Sequence, residues 1–457
     1  MAVDRSRLPA LGPEPAFAFP GVQRRELENG VRVWTIEHRE VPLISFLVLL
    51  PAGASADPEA RPGLAAMTGD LLDEGCGDLN ALELHEALGR IGAQIDTEVG
   101  SDATLLGLTA LERFADRGLA LLADTVMRPR LEPRDFDRIR ELRLNRLVQL
   151  RDMPHAIADR VFTQLVFAGH PYGHLPIGSE ESLREMQLDE VVTFHRRAYR
   201  AQRATVIAVG DATHDRLASM VEQAFGGWRP APPDGSPFVD PATVSAPDTP
   251  DVRVALVHRG GAAQSELRIG HVGLPRSTPD YHALLVLNMI LGGQFVSRIN
   301  MNLREDKGYT YGARTSFDFR RGPGPFVFQA SVQSEVTADA VREALTEIRA
   351  IRADRPVTHA ELEAGRAALT RGYPRNFETA EQVGRSAAQL ALYALPDDYF
   401  STFVPRVLAL DEADLTRVAS AHIQPARLVT VVVGDREKVR PGLDTLDLGR
   451  FEEISVA

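Results

Sequence analysis

The sequence predicts a chain built from two copies of one unit in which helices and strands alternate. Near the end of the first half, Leu188-Asp189-Glu190 opens a helical stretch that leads into a β-branched apolar run ending at Gly210-Asp211. In the second half, Leu410-Asp411-Glu412 and Gly434-Asp435 repeat this order. Short β-branched apolar runs are typical of buried strands, and a repeated order of motifs indicates internal duplication.

Each half also opens with a strand pattern, at 30–36 in the first half and at 252–257 in the second. Thr358 followed by Glu361 predicts a capped helix start, because the two side chains can satisfy each other's backbone N–H groups. Helical periodicity predicts long helices between the strands, at 134–150, 338–352 and 359–372.

The two halves are joined by the proline-rich stretch 229–250. Proline cannot donate to a sheet ladder and does not fit inside a helix. We therefore expect an extended linker that is stiffer than a Gly/Ser tether. This divides the chain into an N-terminal domain over 1–228 and a C-terminal domain over 251–457.

Charge and composition limit the classes of partner. The net charge of −12 argues against nucleic acid and anionic membranes as main partners, because both attract basic surfaces. Cys76 is the only cysteine, which excludes an internal disulfide and a thiolate metal cluster. No apolar run reaches the roughly 20 residues of a membrane span. Prolines interrupt the start of the chain where a signal peptide needs its apolar core, so we expect the cytoplasm, or the periplasm if a signal peptide has been removed.

The sequence offers no clear alternative metal, nucleophile or phosphate-binding motif. His85-Glu86 could open a His-Glu-x-x-His helix, but position 89 is Gly89. His170 and His174 are four residues apart, yet the intervening Pro171 and Gly173 make a helical pair unfavourable. The sequence contains no Gly-x-Ser-x-Gly nucleophile motif and no Gly-Lys-Ser/Thr phosphate loop.

A family resemblance rests on the segment Leu303-Arg304-Glu305-Asp306-Lys307-Gly308-Tyr309-Thr310-Tyr311-Gly312 and on 261–299 before it. Together they resemble the second half of zinc peptidases of the pitrilysin/insulinase family, in its mitochondrial-processing-peptidase-like branch. The resemblance implies an α+β fold with two homologous domains, each a mostly antiparallel sheet with helices packed on one face. It also implies that two such chains close around a chamber.

The family's zinc motif, His-x-x-Glu-His, falls on a segment of this chain that cannot supply it. The motif positions hold Ala66, Gly69 and Asp70, and the position of the later glutamate ligand holds Arg146. Catalytic zinc needs three protein ligands and a carboxylate that takes a proton from the bound water. We therefore expect a degenerate metal site and no cofactor in this chain, with zinc carried by a partner subunit.

The family's substrate-gripping pair is retained. It consists of an arginine and a tyrosine seven positions later, which fall here on Arg304 and Tyr311. Donors aimed at a developing oxyanion typically contribute about 3–4 kcal/mol each. The resemblance implies that Tyr311 serves the oxyanion and that Arg304 orients the peptide backbone. Tyr309 has the opposite strand parity and is expected to face elsewhere. The alternative is a capped helix followed by a strand with no role in binding.

The sequence thus predicts a non-catalytic, substrate-binding subunit of a heterodimeric zinc endopeptidase. Arg304 and Tyr311 would act in trans on peptides bound with a homologous, zinc-bearing partner. One alternative is a structural scaffold subunit like the core proteins of respiratory complexes. A second is a homodimer that binds peptides without cutting them.

Overall fold

The computed structural model describes residues 17–229 and 238–455. The start of the chain, on which the expectation about a signal peptide rests, lies largely outside these residues. The proline-rich part of the predicted linker, 230–237, also lies outside them. In the described part of that linker, 238–250, the chain forms neither helix nor strand.

Residues of the first half form a six-stranded sheet, and a separate two-stranded ribbon pairs β4 with β5. The strands are β1 Gln23–Glu26, β2 Arg32–Glu37, β3 Leu43–Leu50, β4 Gly75–Cys76, β5 Leu79–Asn80, β6 Ile95–Val99, β7 Thr104–Leu111 and β8 Thr205–Gly210. The large sheet has the order β1-β2-β8-β3-β7-β6. Only β2 and β8 run parallel; all the other neighbours are antiparallel.

Residues of the second half form a second six-stranded sheet. Its strands are β9 Val254–His258, β10 Gln264–Val272, β11 Ala313–Phe317, β12 Pro325–Gln333, β13 Val429–Gly434 and β14 Phe451–Glu453. Their order is β11-β12-β10-β13-β9-β14. Five strands follow the same path in both sheets, because β2-β8-β3-β7-β6 corresponds to β9-β13-β10-β12-β11. The duplication inferred from the sequence is therefore a duplication of topology.

Helices pack around both sheets. In the first half they are α1 Leu64–Asp70, α2 Ala81–Arg90, α3 Ala115–Met127, α4 Pro133–Arg151, α5 Pro154–Val166, α6 Glu180–Glu185, α7 Leu188–Ala198 and α8 His214–Phe225. In the second half they are α9 Tyr281–Asn288, α10 Arg298–Asn300, α11 Thr337–Ala350, α12 His359–Thr370, α13 Ala380–Leu392, α14 Tyr399–Leu408, α15 Glu412–His422 and α16 Arg436–Leu443. The α+β class with two homologous units is confirmed, whereas the domain boundaries stay a prediction.

The helices predicted from the sequence form close to their expected bounds. The predicted helix at 134–150 is α4, and that at 359–372 is α12. Pro133 stands in the first turn of α4. Backbone N–H groups in the first turn have no acceptor within the helix, so a proline there costs no hydrogen bond. The capping box of Thr358 and Glu361 is present, with reciprocal bonds between side chain and backbone.

The two halves exchange one helix each, which the sequence pattern does not indicate. α5 of the first half packs on β10 and β13 of the second sheet, and α13 of the second half packs on β3 and β8 of the first. Both faces of the central strands are consequently covered, and β8 and β13 are buried along their whole length. The sequence analysis expected helices on one face of each sheet. In the structure, one helix of the opposite half also covers the other face.

The segment 281–306 contains two helical pieces. α9 continues in wider turns to Gly293, and α10 continues in wider turns to Asp306, with a short non-helical break at 294–297 between them. Among the described residues it is the one stretch long and apolar enough to span a membrane by length and composition. Of its most apolar window, 61% is buried inside the protein. Its buried apolar side chains, among them Leu284, Leu287 and Leu303, belong to the core of the second half.

Candidate functional site

A groove of about 520 Å³ lies beside β11, the edge strand of the second sheet. We call it the Tyr311 groove. Its lining includes Gly292, Phe295, Arg304, Tyr311, Gln329 and Ser331. The structure thus brings Arg304 and Tyr311, the predicted substrate-binding residues, to the same surface.

Arg304 reaches the groove from the end of the helical stretch 281–306. Its guanidinium carbon lies 3.9 Å from the centre of the Phe295 ring, which is a cation–π contact. Its Nε atom is 3.6 Å from a carboxylate oxygen of Glu305, a partner that is half exposed and only weakly neutralising. The guanidinium therefore keeps donors available to a ligand.

Tyr311 is 93% exposed, although its backbone is tightly held. The hydroxyl of Thr310 donates to the carbonyl of Ser331 at 2.6 Å and accepts from the N–H of Gly312 at 3.1 Å. These bonds tie the turn to β12 and leave the phenol in solvent. Phe295 and Tyr311 are the exposed Phe, Tyr or Trp side chains within the described ranges, and both line this groove.

The strand expected for Gly308 to Gly312 does not form, because β11 begins only at Ala313. The N–H of Tyr309 instead bonds the carbonyl of Leu303 at 2.8 Å, which closes the helical stretch. Tyr309 packs partly buried against the core, so it does face away from Tyr311, for a reason other than strand parity.

Gly292 lets the helical stretch approach β11 closely. A Cβ atom at this position would lie 2.5 Å from both the backbone nitrogen and the hydroxyl of Thr315. Contacts this short do not occur for real side chains, so only glycine fits. The Gly292-Gly293 pair thus serves close packing beneath the groove.

The four predicted metal positions are built into ordinary packing. Ala66 and Gly69 are buried in α1, and a Cβ at Gly69 would lie 2.7 Å from a methyl carbon of Val99. Asp70 accepts a hydrogen bond of 2.6 Å from Arg143. Arg146 is exposed and donates to the Gln149 side chain at 3.1 Å.

Arg143 is the partner of Asp70 that the sequence reasoning missed. It lies one turn before Arg146 on α4, is buried, and also donates to the carbonyl of Pro176 at 2.7 Å. Spacing along α4 places Arg143 on the same helix face as Arg146, since residues three apart are neighbours, but it does not show that Asp70 lies within reach. Asp70 is thereby committed to a structural ion pair.

The residues present do not fit a zinc ion. Alanine and glycine have no ligand atoms, and the Asp70 carboxylate is neutralised by Arg143. Across the described part of the chain, no group of three or more His, Cys, Asp and Glu side chains could hold a metal. His174 lies 3.0 Å from Asp57, whose carboxylate caps α1 through the N–H groups of Gly63 and Ala65, both at 2.6 Å.

Comparisons with known proteins agree with this description. The family model described as "Insulinase (Peptidase family M16)" matches residues 32–174, and that described as "Peptidase M16 inactive domain" matches residues 185–369. An uncharacterized zinc protease of Mycobacterium bovis is 27% identical over 390 residues, which cover 83% of this chain and 86% of the relative. A probable mitochondrial-processing peptidase subunit beta of Schizosaccharomyces pombe is 22% identical over 279 residues, or 60% of each chain.

Solved structures share the fold. A peptidase M16 inactive domain from Pseudomonas fluorescens aligns with a TM-score of 0.84 and 23% identity, covering 91% of this chain and 98% of its own. A protease from Helicobacter pylori aligns with a TM-score of 0.84 and 22% identity, covering 91% and 99%. From the two family models, which match successive parts of both halves, and this shared fold, we conclude that the chain belongs to the insulinase family of peptidases, family M16.

Proposed function

We propose that this chain is the non-catalytic, substrate-binding subunit of a heterodimeric zinc endopeptidase. One observation carries the proposal: Arg304 and Tyr311 line a single open groove, while Ala66, Gly69 and Asp70 cannot hold zinc. A homologous partner would bring the zinc, the water nucleophile and the general base. An inactive-type second domain in a member of this family supports a non-catalytic or partner-dependent subunit.

The exposure of the groove supports a role in trans. A solvent-exposed tyrosine beside an exposed phenylalanine is typical of a surface that binds another molecule. The phenol of Tyr311 can donate to the scissile carbonyl oxygen as negative charge develops on it. Arg304, in cation–π contact with Phe295, can donate through its planar fork to neighbouring peptide carbonyls.

The position of the groove supports a peptide as ligand. β11 is an edge strand with no strand beyond it in the described sheet, although the N–H of Ala313 already bonds the Asn300 side chain at 2.9 Å. An extended peptide can pair with such an edge and present alternate side chains to the groove.

We also keep the cytoplasm as the proposed location, with the periplasm as the alternative.

The proposal is tested by reconstitution. The purified chain is assayed for zinc and for peptide cleavage alone, and then mixed with the zinc-bearing homologue from the same genome. We expect neither zinc nor cleavage alone, and cleavage on mixing. In the mixed enzyme, Arg304→Ala with Tyr311→Phe should lower kcat/KM by about a hundredfold or more, because two transition-state donors are lost.

The control pair is Arg90→Ala with Tyr309→Phe, which removes an exposed arginine and a hydroxyl away from the groove. This pair should retain full activity. Undiminished activity of the Arg304 and Tyr311 variant would contradict the proposal. Folding without cleavage in any mixture would instead favour a scaffold, and peptide binding without cleavage would favour a non-cleaving homodimer.

A further inference from the structure

A second cavity of about 520 Å³ lies between α5 and the outer strands β11 and β12. We call it the Arg160 pocket. Its charged lining residues are Arg151, Asp159, Arg160 and Asp318, and its floor includes Val327 and Gln329. Arg151 is paired with Glu180, Asp159 with Arg268 at 2.6 Å, and Asp318 with Arg320 at 2.7 Å.

Arg160 is the exception among these charged residues. Within residues 17–229 and 238–455 it has neither an ion pair nor a hydrogen bond, although it is partly buried. Burial and the nearby charge of Arg151 lower the pKa of the Arg160 guanidinium. The Nε atom of Arg151 is likewise buried without a partner in the described structure. Two guanidinium groups in one pocket therefore have donors that no residue of the described structure uses, and an anion in the pocket could accept hydrogen bonds from them.

The Arg160 pocket and the Tyr311 groove form one surface. Gln329 lines both cavities. A chain of polar contacts also passes from one to the other: Ser331 donates to Glu266, which accepts from Arg268 at 2.7 Å, and Arg268 donates to Asp159. Ser331 and Glu266 line the groove, whereas Asp159 lines the pocket. A ligand lying in the groove can thus continue along the sheet to Arg160.

We infer that Arg160 recognises a carboxylate on the peptide that binds in the Tyr311 groove. This inference rests on the proposed function and adds a preference for acidic peptides. A guanidinium binds a carboxylate through two parallel hydrogen bonds, and partial burial strengthens that interaction. The carboxylate is supplied by an aspartate or glutamate side chain or by the free C-terminus of the peptide.

The spacing along β11 gives the position of the acidic group. Ser316 lines the Arg160 pocket and lies five residues after Tyr311. Because β11 is extended from Ala313 at about 3.3 Å per residue, a peptide alongside it needs several residues to reach from the groove to the pocket. The acidic residue should therefore lie several positions from the carbonyl that meets Tyr311.

The test measures binding of fluorescent, alanine-rich peptides to the purified chain by anisotropy. A single glutamate is moved along the peptide, and each version is compared with its glutamine and lysine counterparts. At the favoured position, we expect glutamate to bind about tenfold more tightly than glutamine, since a charge-assisted hydrogen bond is gained. Peptides with free and amidated C-termini separate the two sources of carboxylate.

The variants separate the inference from the proposed function. Arg160→Gln should bind the glutamate and glutamine peptides equally, Arg160→Lys should retain part of the preference, and the control Arg90→Gln should retain all of it. Equal binding of both peptides by the unmodified chain, or an unchanged preference in Arg160→Gln, would overturn the inference. Arg304→Ala with Tyr311→Phe should weaken all the peptides alike. If it leaves their binding unchanged, the proposed function fails while the result for Arg160 still stands.

Discussion

At the scale of single residues, an ion pair between Arg298 and Glu361 supports the helical segment that carries Arg304. Arg298 lies in the same helical stretch as Arg304 and is buried against Glu361, the capping residue of α12. The two side chains form paired bonds of 2.6 and 2.8 Å. Because Arg298 is buried, loss of the carboxylate would leave its charge without compensation. We conclude that this ion pair fixes the helix on which Arg304 stands.

The Arg298–Glu361 pair makes stability depend on pH. Burial alone would raise the pKa of Glu361, but bonds from Arg298 and from the backbone and hydroxyl of Thr358 outweigh it and lower the pKa to about 2. The stabilisation is therefore present above the ordinary carboxyl pKa of about 4.5 and is lost as the pH falls towards 2. We expect Glu361→Gln to lower the free energy of unfolding by about 1–3 kcal/mol at neutral pH.

The difference between Glu361→Gln and the unmodified chain should shrink below pH 4.5, measured by urea unfolding at a series of pH values. Glu363→Gln is the control, since Glu363 is exposed and pairs with Arg366 on the surface of α12. A difference that stays constant down to pH 3 would contradict the assignment.

At the scale of elements, the exchanged helices α5 and α13 link the two halves. α5 contributes Ile157, Val161 and Phe162 to a core with the valines of β13. α13 contributes Val383 and Ala387 to a core that includes Leu47 and Val209 of the first sheet. Each helix thus buries apolar area against the sheet of the other half. Without the opposite half, part of one face of each sheet would be exposed to water.

At Gly384, α13 packs tightly on the first sheet. A Cβ atom there would overlap the Leu47 side chain within the core. We expect Gly384→Ala to lower the free energy of unfolding by about 1–3 kcal/mol, because overpacking outweighs the gain in helix propensity. Chemical unfolding measures the change.

Gly89 provides the matched control for Gly384. It also lies in a helix, but a Cβ there would meet nothing within 4 Å. Gly89→Ala should therefore stabilise the chain by about 0.5–1 kcal/mol. If both substitutions stabilise the chain equally, the tight docking of α13 is wrong.

At the scale of the whole molecule, a buried polar junction joins the two halves. The hydroxyl of Tyr172 donates to Asp102 at 2.5 Å and accepts from the N–H of Gly322 at 3.0 Å. The second carboxylate oxygen of Asp102 accepts from the N–H of Arg321 at 2.8 Å. Burial raises the pKa of both Asp102 and Tyr172, so the tyrosine stays protonated as the donor. The junction sets how the turn between β11 and β12 sits on the first half.

Tyr172→Phe should lower the free energy of unfolding by about 1–3 kcal/mol, because it leaves the N–H of Gly322 and one Asp102 oxygen without their buried partner. Hydrogen exchange at Gly322 should accelerate in the variant. Tyr309→Phe is the control, since the Tyr309 hydroxyl makes no hydrogen bond within the described ranges. Unchanged exchange at Gly322 would show that the junction contributes little.

Much of the fold could be predicted because its strands and helices follow from local sequence patterns. Apolar β-branched runs gave β8 and β13, and reciprocal capping gave the start of α12. For the candidate site, the family resemblance pointed to Arg304 and Tyr311; the structure places both on one groove, and their role in binding stays a prediction. The strand expected at Tyr309 does not form, because a hydrogen bond to the preceding helical segment overrides local strand propensity.

The sequence by itself determined the duplicated order of elements and the residue types at the four metal positions, since both depend only on local pattern and residue identity. Only the tertiary structure decided that α5 and α13 exchange sheets, that Arg143 binds Asp70, and that Arg160 has no ion pair or hydrogen bond within the described residues. These features depend on contacts between segments that are distant in the chain, and their stability is a small difference between many weak packing and hydrogen-bonding energies. A local sequence pattern does not contain that information.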